Sequence, residues 1–178
     1  MRVKLAIFIL LAIPLCMGFG VEMQEQPKED AQIKLRALYM YNFATLIDWP
    51  KEFKQGDFLI GIVNENTLFE EMVAKYSNKM IGSQPIRIKR FNSVAEVTQC
   101  HIVYLPPDIS DKAAEIVKKY RSKSTLVVTE KEGKLKDGAT INLIIRNNKL
   151  SYEISKGNAS KSKLIIGSKL ETLAFKAV

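Results

Sequence analysis

The chain has 178 residues, with 27 lysines and arginines against 19 aspartates and glutamates, and a net charge of +8. Its length suits a single domain with a real core. Its one histidine, His101, excludes a multi-histidine metal site. A positive balance of this kind would suggest nucleic acid in a cytosolic protein, but the amino terminus argues for export.

Met1-Arg2-Val3-Lys4 sets two positive charges before an almost unbroken apolar run from Leu5 to Leu15. That run is shorter than the roughly 20 apolar residues of a membrane-spanning helix. It leads to Gly18 and Gly20, small residues suited to a cut after Gly20, with a cut after Gly18 as the alternative, so residues 1–20 read as a cleaved secretory signal. Pro14 and Leu15 ahead of Cys16 do not suit a lipoprotein signal. Cleavage takes away Arg2, Lys4 and Cys16, which leaves a net charge of +6 and Cys100 as the remaining cysteine. No disulfide is expected in the mature chain, nucleic acid drops out as a partner, and no later stretch is long enough to form a transmembrane segment.

Residues 21–30 form a polar leader, and a domain is expected over 31–178. Ile33, Ala37, Met40, Ala44 and Ile47 recur at helical spacing, with Leu38, Tyr41 and Leu46 widening the stripe. Trp49-Pro50 ends that helix. Phe58 to Val63 reads as a buried strand, and Asn64 to Thr67 as a turn and helix cap. Leu68, Met72 and Val73 mark the second helix. Pro85 to Phe91 alternates apolar with basic residues, a half-exposed strand; a short helix follows around Val94–Val97. Cys100 to Leu105 and Thr125 to Thr129 are two more buried strands. Between them lies a helix started by Ser110 or Asp111, with Ala114, Ile116 and Val117 facing inward. Ala139 to Arg146 and Leu150 to Ile154 form a hairpin through Asn147-Asn148, residues that tolerate positive φ. A closing helix from about Asn158 carries Leu164, Ile165, Leu170, Leu173 and Ala174, with Gly167 as a close contact or a break. The order predicts one α/β domain, three-layer in character. Its mixed sheet is parallel in the first half, ends in the antiparallel hairpin and is flanked by helices.

Chemistry is sparse. The glycines form neither a G-x-G-x-x-G nor a G-x-x-x-x-G-K loop, no G-x-S-x-G elbow occurs, and no acids are paired. No catalytic residue, metal ligand or cofactor is predicted. Cys100 and His101 are adjacent in a strand and point to opposite faces. Cys100 reads as a structural thiol and His101 as a partly exposed side chain. Tyr39, Tyr41, Phe43 and Trp49 are the densest aromatic grouping; they either anchor the first helix in the core or form, with Pro50, a contact surface.

Several of these segments together resemble the YfiR-like family of periplasmic proteins. The resemblance begins with Ala37-Leu38-Tyr39-Met40-Tyr41-Asn42-Phe43-Ala44 and Asp48-Trp49-Pro50. It continues through Gly82-Ser83-Gln84-Pro85-Ile86, Cys100 to Leu105, Thr125 to Thr129 and Gly138 to Asn142. It closes with Leu150 to Ile154 and Gly167-Ser168-Lys169-Leu170, and so covers about residues 31 to 176. It implies a non-catalytic periplasmic repressor that contacts the sensor region of an inner-membrane diguanylate cyclase, holds cyclic-di-GMP and biofilm formation down, and forms homodimers. Disulfides found in some members do not carry over to a chain with one mature cysteine. Tyr39, Tyr41, Trp49 and Pro50, and Arg87 and Lys89 on the basic strand, are the candidate partner-binding residues. A periplasmic small-molecule binding module, with its cleft at the carboxyl ends of the parallel strands, is the alternative; a hydrolase built on Cys100 is the third reading.

Overall fold

The computed structural model describes residues 26–178; the secretory signal expected at residues 1–20 and the first residues of the expected leader lie outside them. Helix α1 (Gln26–Leu46) buries Ile33, Ala37, Met40 and Ala44 as their spacing requires. It begins five residues before Ala31, because its first turn is polar and exposed at Glu29 and Asp30 and so leaves no apolar period to read. Leu38, counted into the stripe, is exposed. A two-residue strand, β1 (Ile47–Asp48), then leads into Trp49-Pro50.

The remaining elements follow as β2 (Phe58–Val63), α2 (Asn66–Tyr76), β3 (Met80–Ile81), β4 (Gln84–Phe91), β5 (Ile102–Leu105) and α3 (Ala113–Tyr120). After them come β6 (Leu126–Thr129), β7 (Ile141–Arg146), β8 (Lys149–Ile154), α4 (Lys156–Lys161), β9 (Ile165–Ile166), α5 (Ser168–Leu173) and β10 (Lys176–Ala177). The main sheet has the order β10-β8-β7-β6-β5-β2-β4-β3. It is parallel from β4 through β2, β5 and β6 to β7, and the β7–β8 hairpin is antiparallel. Asn147 and Asn148 turn that hairpin with φ of 49° and 59°. This is the expected mixed α/β domain. Beyond the expectation, β3 adds an antiparallel strand at one edge and β10 a parallel one at the other.

Alternation along the strands divides the core. Ile60, Ile62, Ile102, Tyr104, Leu126 and Val128 face α1 and α2, with Ala159 of α4 and Leu170 of α5 in the same cluster. Val63, Val103, Leu105 and Val127 face α3, which buries Ala113, Ile116, Val117 and Tyr120. Ala114 is exposed instead, because the i, i+3, i+4, i+7 stripe of the helix runs through Ala113, Ile116, Val117 and Tyr120.

The closing helix is two helices with strand β9 between them. The break follows Lys161, where Lys163 turns left-handed with φ of 56°, and Gly167 then seats the chain against α1: its N–H donates to the Leu46 carbonyl at 3.0 Å, and a Cβ there would lie 2.5 Å from that oxygen. Its φ of −70° suits any residue, so close approach alone requires glycine. Ile165 consequently sits exposed on β9, which pairs antiparallel with β1.

A strap from Pro50 to Asp57 joins β1 to β2, and His101 holds it. The Leu59 N–H donates to His101 Nδ1 at 3.0 Å, so that nitrogen is unprotonated and Nε2–H donates to the Phe53 carbonyl at 2.8 Å. The ring stacks on Phe58 with centroids 4.3 Å apart and is 8% exposed, against the expectation of a partly exposed side chain. Burial lowers its pKa, partly opposed by the Phe53 carbonyl.

Gly167→Ala is expected to push β9 and α5 away from α1 at a cost of about 1–3 kcal/mol, read as a lower thermal unfolding midpoint; an unchanged midpoint would refute the close-approach account. For His101 the depressed pKa means the neutral ring stabilises the fold fully above the unfolded value of about 6.5. That contribution is lost as pH falls through the lower folded value. The wild-type midpoint should therefore drop between about pH 7 and 5 more steeply than that of His101→Gln; parallel slopes would sink the assignment.

Candidate functional site

The six residues singled out in the sequence do not form one surface. Trp49 is 4% exposed, meets Phe58 edge-on at 5.0 Å and donates its indole N–H to the Ser124 carbonyl at 2.9 Å. Tyr39 is half-buried between Phe43 and Tyr152, its hydroxyl donating to the Leu150 carbonyl at 3.0 Å. Tyr41 stacks on Tyr76 at 4.7 Å and ties α1 to α2. Pro50 is half-buried where the strap begins. Trp49 is thus an anchor of the core, while Tyr39, Tyr41 and Pro50 are each only half-buried. Arg87 and Lys89 lie apart, exposed on β4.

The best-formed cleft, of about 290 Å³, opens between the end of α1 and the β3–β4 turn, over Ala44, Trp49, Phe58 and Gln84. It lies at the amino ends of β2 and β4, opposite to the expected carboxyl-end position. Gln84 is buried and donates through Nε2 to the carbonyls of Phe53 and Gln55 at 3.0 and 3.2 Å, which pins the strap from the cleft side. Asp48 and Lys54 pair at 2.5 Å on the rim and are about half exposed. An aromatic floor with one exposed ion pair can hold a small apolar group; it contains no nucleophile and base in contact.

The carboxyl ends of the strands carry a different constellation, which sequence reasoning missed. Arg36 forks onto Glu130, Nε to Oε2 at 2.8 Å and Nη2 to Oε1 at 2.5 Å, and Tyr104 donates to the same carboxylate at 2.6 Å. Burial, and then the Glu130 charge, push the Tyr104 hydroxyl well above its usual range. Beside it, Asn142 Oδ1 accepts from Thr129 Oγ1 at 2.8 Å and from the Lys131 N–H at 3.2 Å. The signal was present in α1: Arg36 sits next to Ala37, inside the apolar stripe, where a charge needs a buried partner. These groups satisfy one another, and α1 lies over them.

Cys100 is buried beside Gly61 and Phe91, on the opposite side of the strand from the His101 ring. Burial raises its thiol to about 11, with Lys89 pulling slightly the other way. A protonated thiol with no adjacent base is a poor nucleophile. Among the described residues, no group of three or more His, Cys, Asp or Glu side chains could hold a metal ion, and no helix is long and apolar enough to cross a membrane.

No curated protein sequence matches the chain. Among solved structures it is similar to an ABC domain in complex with L-Trp from Streptococcus pneumonia, with a TM-score of 0.51 and 12% identity over 67% of this chain and 55% of that one. It is also similar to a conserved domain protein from Vibrio cholerae O1 biovar El Tor, with a TM-score of 0.54 and 12% identity over 82% of this chain and 60% of that one. The chain thus spans under two-thirds of the length of either, and at such identity the likeness concerns the fold alone. The sequence model of the YfiR/HmsC-like family matches residues 33–174, from Ile33 in α1 to Ala174, one residue past α5. With the match covering most of its length, the chain belongs to the YfiR/HmsC-like family.

Proposed function

We propose that the protein is a non-catalytic periplasmic regulator, which binds the sensor region of an inner-membrane diguanylate cyclase and holds cyclic-di-GMP synthesis down. The family match over residues 33–174 carries this reading, since the family's general role is periplasmic regulation of such cyclases. The side-chain chemistry supports it. Glu130 is consumed by Arg36 and Tyr104, His101 by the backbone of Leu59 and Phe53, and Cys100 is buried. Large apolar side chains, among them Leu173, Phe175 and Val178, are exposed instead, and such residues suit protein contacts. The regulator acts by binding the inactive sensor conformation better than the active one. Each tenfold shift of that equilibrium requires about 1.4 kcal/mol of differential affinity. Export by the signal at residues 1–20 and pairing into homodimers belong to the same proposal.

The cleft over Trp49 and Phe58 favours a second role, binding of a small molecule that tunes the regulator. Its position beneath the strap would let a ligand alter the surface presented there.

Deleting the gene is expected to raise cellular cyclic-di-GMP and surface attachment. A wild-type copy should restore both, and a copy lacking residues 2–20 should not. An unchanged messenger level in cells that express the cyclase would overturn the regulatory reading.

A further inference from the structure

Strand β4 is the longest of the main sheet, and only its first part has a neighbour on the outer side. β2 pairs with it from Ile86 to Phe91, whereas β3 reaches only Gln84 and Pro85. One further bond, from the Ile86 N–H to the Lys79 carbonyl at 3.0 Å, fixes the direction of the edge. The Ile86 N–H points away from β2, so by alternation the N–H and carbonyl groups of Ile88 and Arg90 point away as well. The opposite parity agrees: the Phe91 carbonyl turns towards β2 and accepts from the Asn64 N–H at 2.8 Å. Among the described residues, no strand pairs with the outer side of Ile88 and Arg90.

This open stretch is strongly basic. Arg87, Lys89 and Arg90 are exposed, and their contacts are light. Arg87 Nε lies 3.4 Å from Asp57 Oδ2, Lys89 Nζ 3.4 Å from Thr98 Oγ1, and Arg90 Nη1 donates to Asn66 Oδ1 at 2.7 Å. An exposed pair such as Arg87–Asp57 holds weakly and gives way to an incoming carboxylate.

We propose that the outer edge of β4 at Ile88–Arg90, rimmed by Arg87, Lys89 and Arg90, is a docking edge that takes an extended acidic segment of a partner protein as an added strand. The proposal rests on the reading of this chain as a partner-binding regulator and supplies the surface that reading lacks. Backbone hydrogen bonds hold the added strand, and the three cations select it. The same charges decide against the other obvious occupant. A second copy would bring its own Arg87, Lys89 and Arg90 to the contact, and like charges across a strand pair repel. Basic side chains on an open edge are a common guard against self-pairing; here they leave an acidic strand as the partner of matching chemistry.

The test uses the full mature chain and a fluorescent eight-residue peptide alternating valine or threonine with aspartate or glutamate. Its lysine counterpart and a version methylated on alternate backbone nitrogens serve as controls. The acidic peptide should bind and weaken as salt rises. It should lose affinity by about tenfold or more against R87E/K89E, and also when its backbone nitrogens are methylated. On binding, amide exchange at Ile88 and Arg90 should slow at least about tenfold, while Arg87 and Lys89, already bonded to β2, change little. Absence of binding, equal binding of the lysine peptide, or binding that leaves Ile88 and Arg90 exchange untouched would each overturn the proposal. So would association of the chain with itself through this edge. The methylated peptide keeps the test decisive if the double variant folds poorly. None of these readouts involves cyclic-di-GMP. A flat messenger level on deletion would remove the cyclase and leave the edge standing; failed peptide binding would remove the edge and leave the repressor.

Discussion

Helix α1 is tied to β6 at both ends of that strand, and much of the molecule hangs from this clasp. From the middle of the helix, Arg36 forks onto Glu130, one residue past β6. Beyond its carboxyl end, Trp49 donates to the carbonyl of Ser124, two residues before β6. The lengths agree. Ten residues of helix rise about 15 Å, to which Ile47–Trp49 add a short piece, while the strand path from Ser124 to Glu130 runs about 20 Å. Two long side chains take up the remainder. A half-sunk ion pair contributes little net stability, since both groups surrender water, but stranding either one is costly. Its physical effect is therefore to fix where α1 lies along the sheet.

The rest follows from that placement. The Tyr39 hydroxyl reaches the Leu150 carbonyl and seats the β7–β8 hairpin. The Leu46 carbonyl receives the Gly167 N–H and draws in β9 and α5. Trp49 turns the chain into the strap over Phe58, where His101 and Gln84 converge on the Phe53 carbonyl. The cleft is thus a by-product of how α1 ends. Most of the groups that usually do chemistry have been spent on assembly, and that is the physical reason the surface, more than any pocket, is the place to look for function.

The elements that were legible in the sequence are those whose cause is local. Helical spacing marked α1, alternation marked β4 and β8, and the Asn147-Asn148 pair marked its hairpin because positive φ is a property of two residues. What was illegible depends on distant partners. Arg36 and Glu130 are 94 positions apart, and a lone arginine reads as solvated until a carboxylate is found for it. His101 is buried because the Leu59 N–H, 42 positions away, needs an acceptor there. The two halves of the closing helix share one apolar pattern, and the left-handed turn at Lys163 and the Leu46 carbonyl pressed against Gly167 separate them. Of the residues singled out as a contact surface, Arg87 and Lys89 are exposed as the alternation of β4 predicts, Trp49 is buried in the core, and Tyr39, Tyr41 and Pro50 are half-buried. No local property distinguishes a ring that supports a corner from one that offers itself to a partner.

The two faces of the sheet are covered unequally, and this gives Arg87 and Lys89 their setting. One face carries α1 and α2, with α4 and α5 adding to the same core; the other is covered by α3, packed over β5 and β6. Over β2 and β4, that second face is closed by side chains and by the short 3-10 turn at Val94–Glu96. Phe91 and Cys100 crowd against Gly61, where a Cβ would come within 2.8 Å of the Phe91 ring. Arg87 and Lys89 lie exposed on that face, and Lys89 lies over the Phe91 ring at 5.0 Å. Parallel sheets are normally buried on both faces, so a parallel strand left basic on one face and open along its edge departs from the pattern the rest of the sheet obeys. Solubility alone would be served by charges on any exposed strand. Charges grouped where backbone donors and acceptors also lie unpaired fit a strand that is completed by another chain.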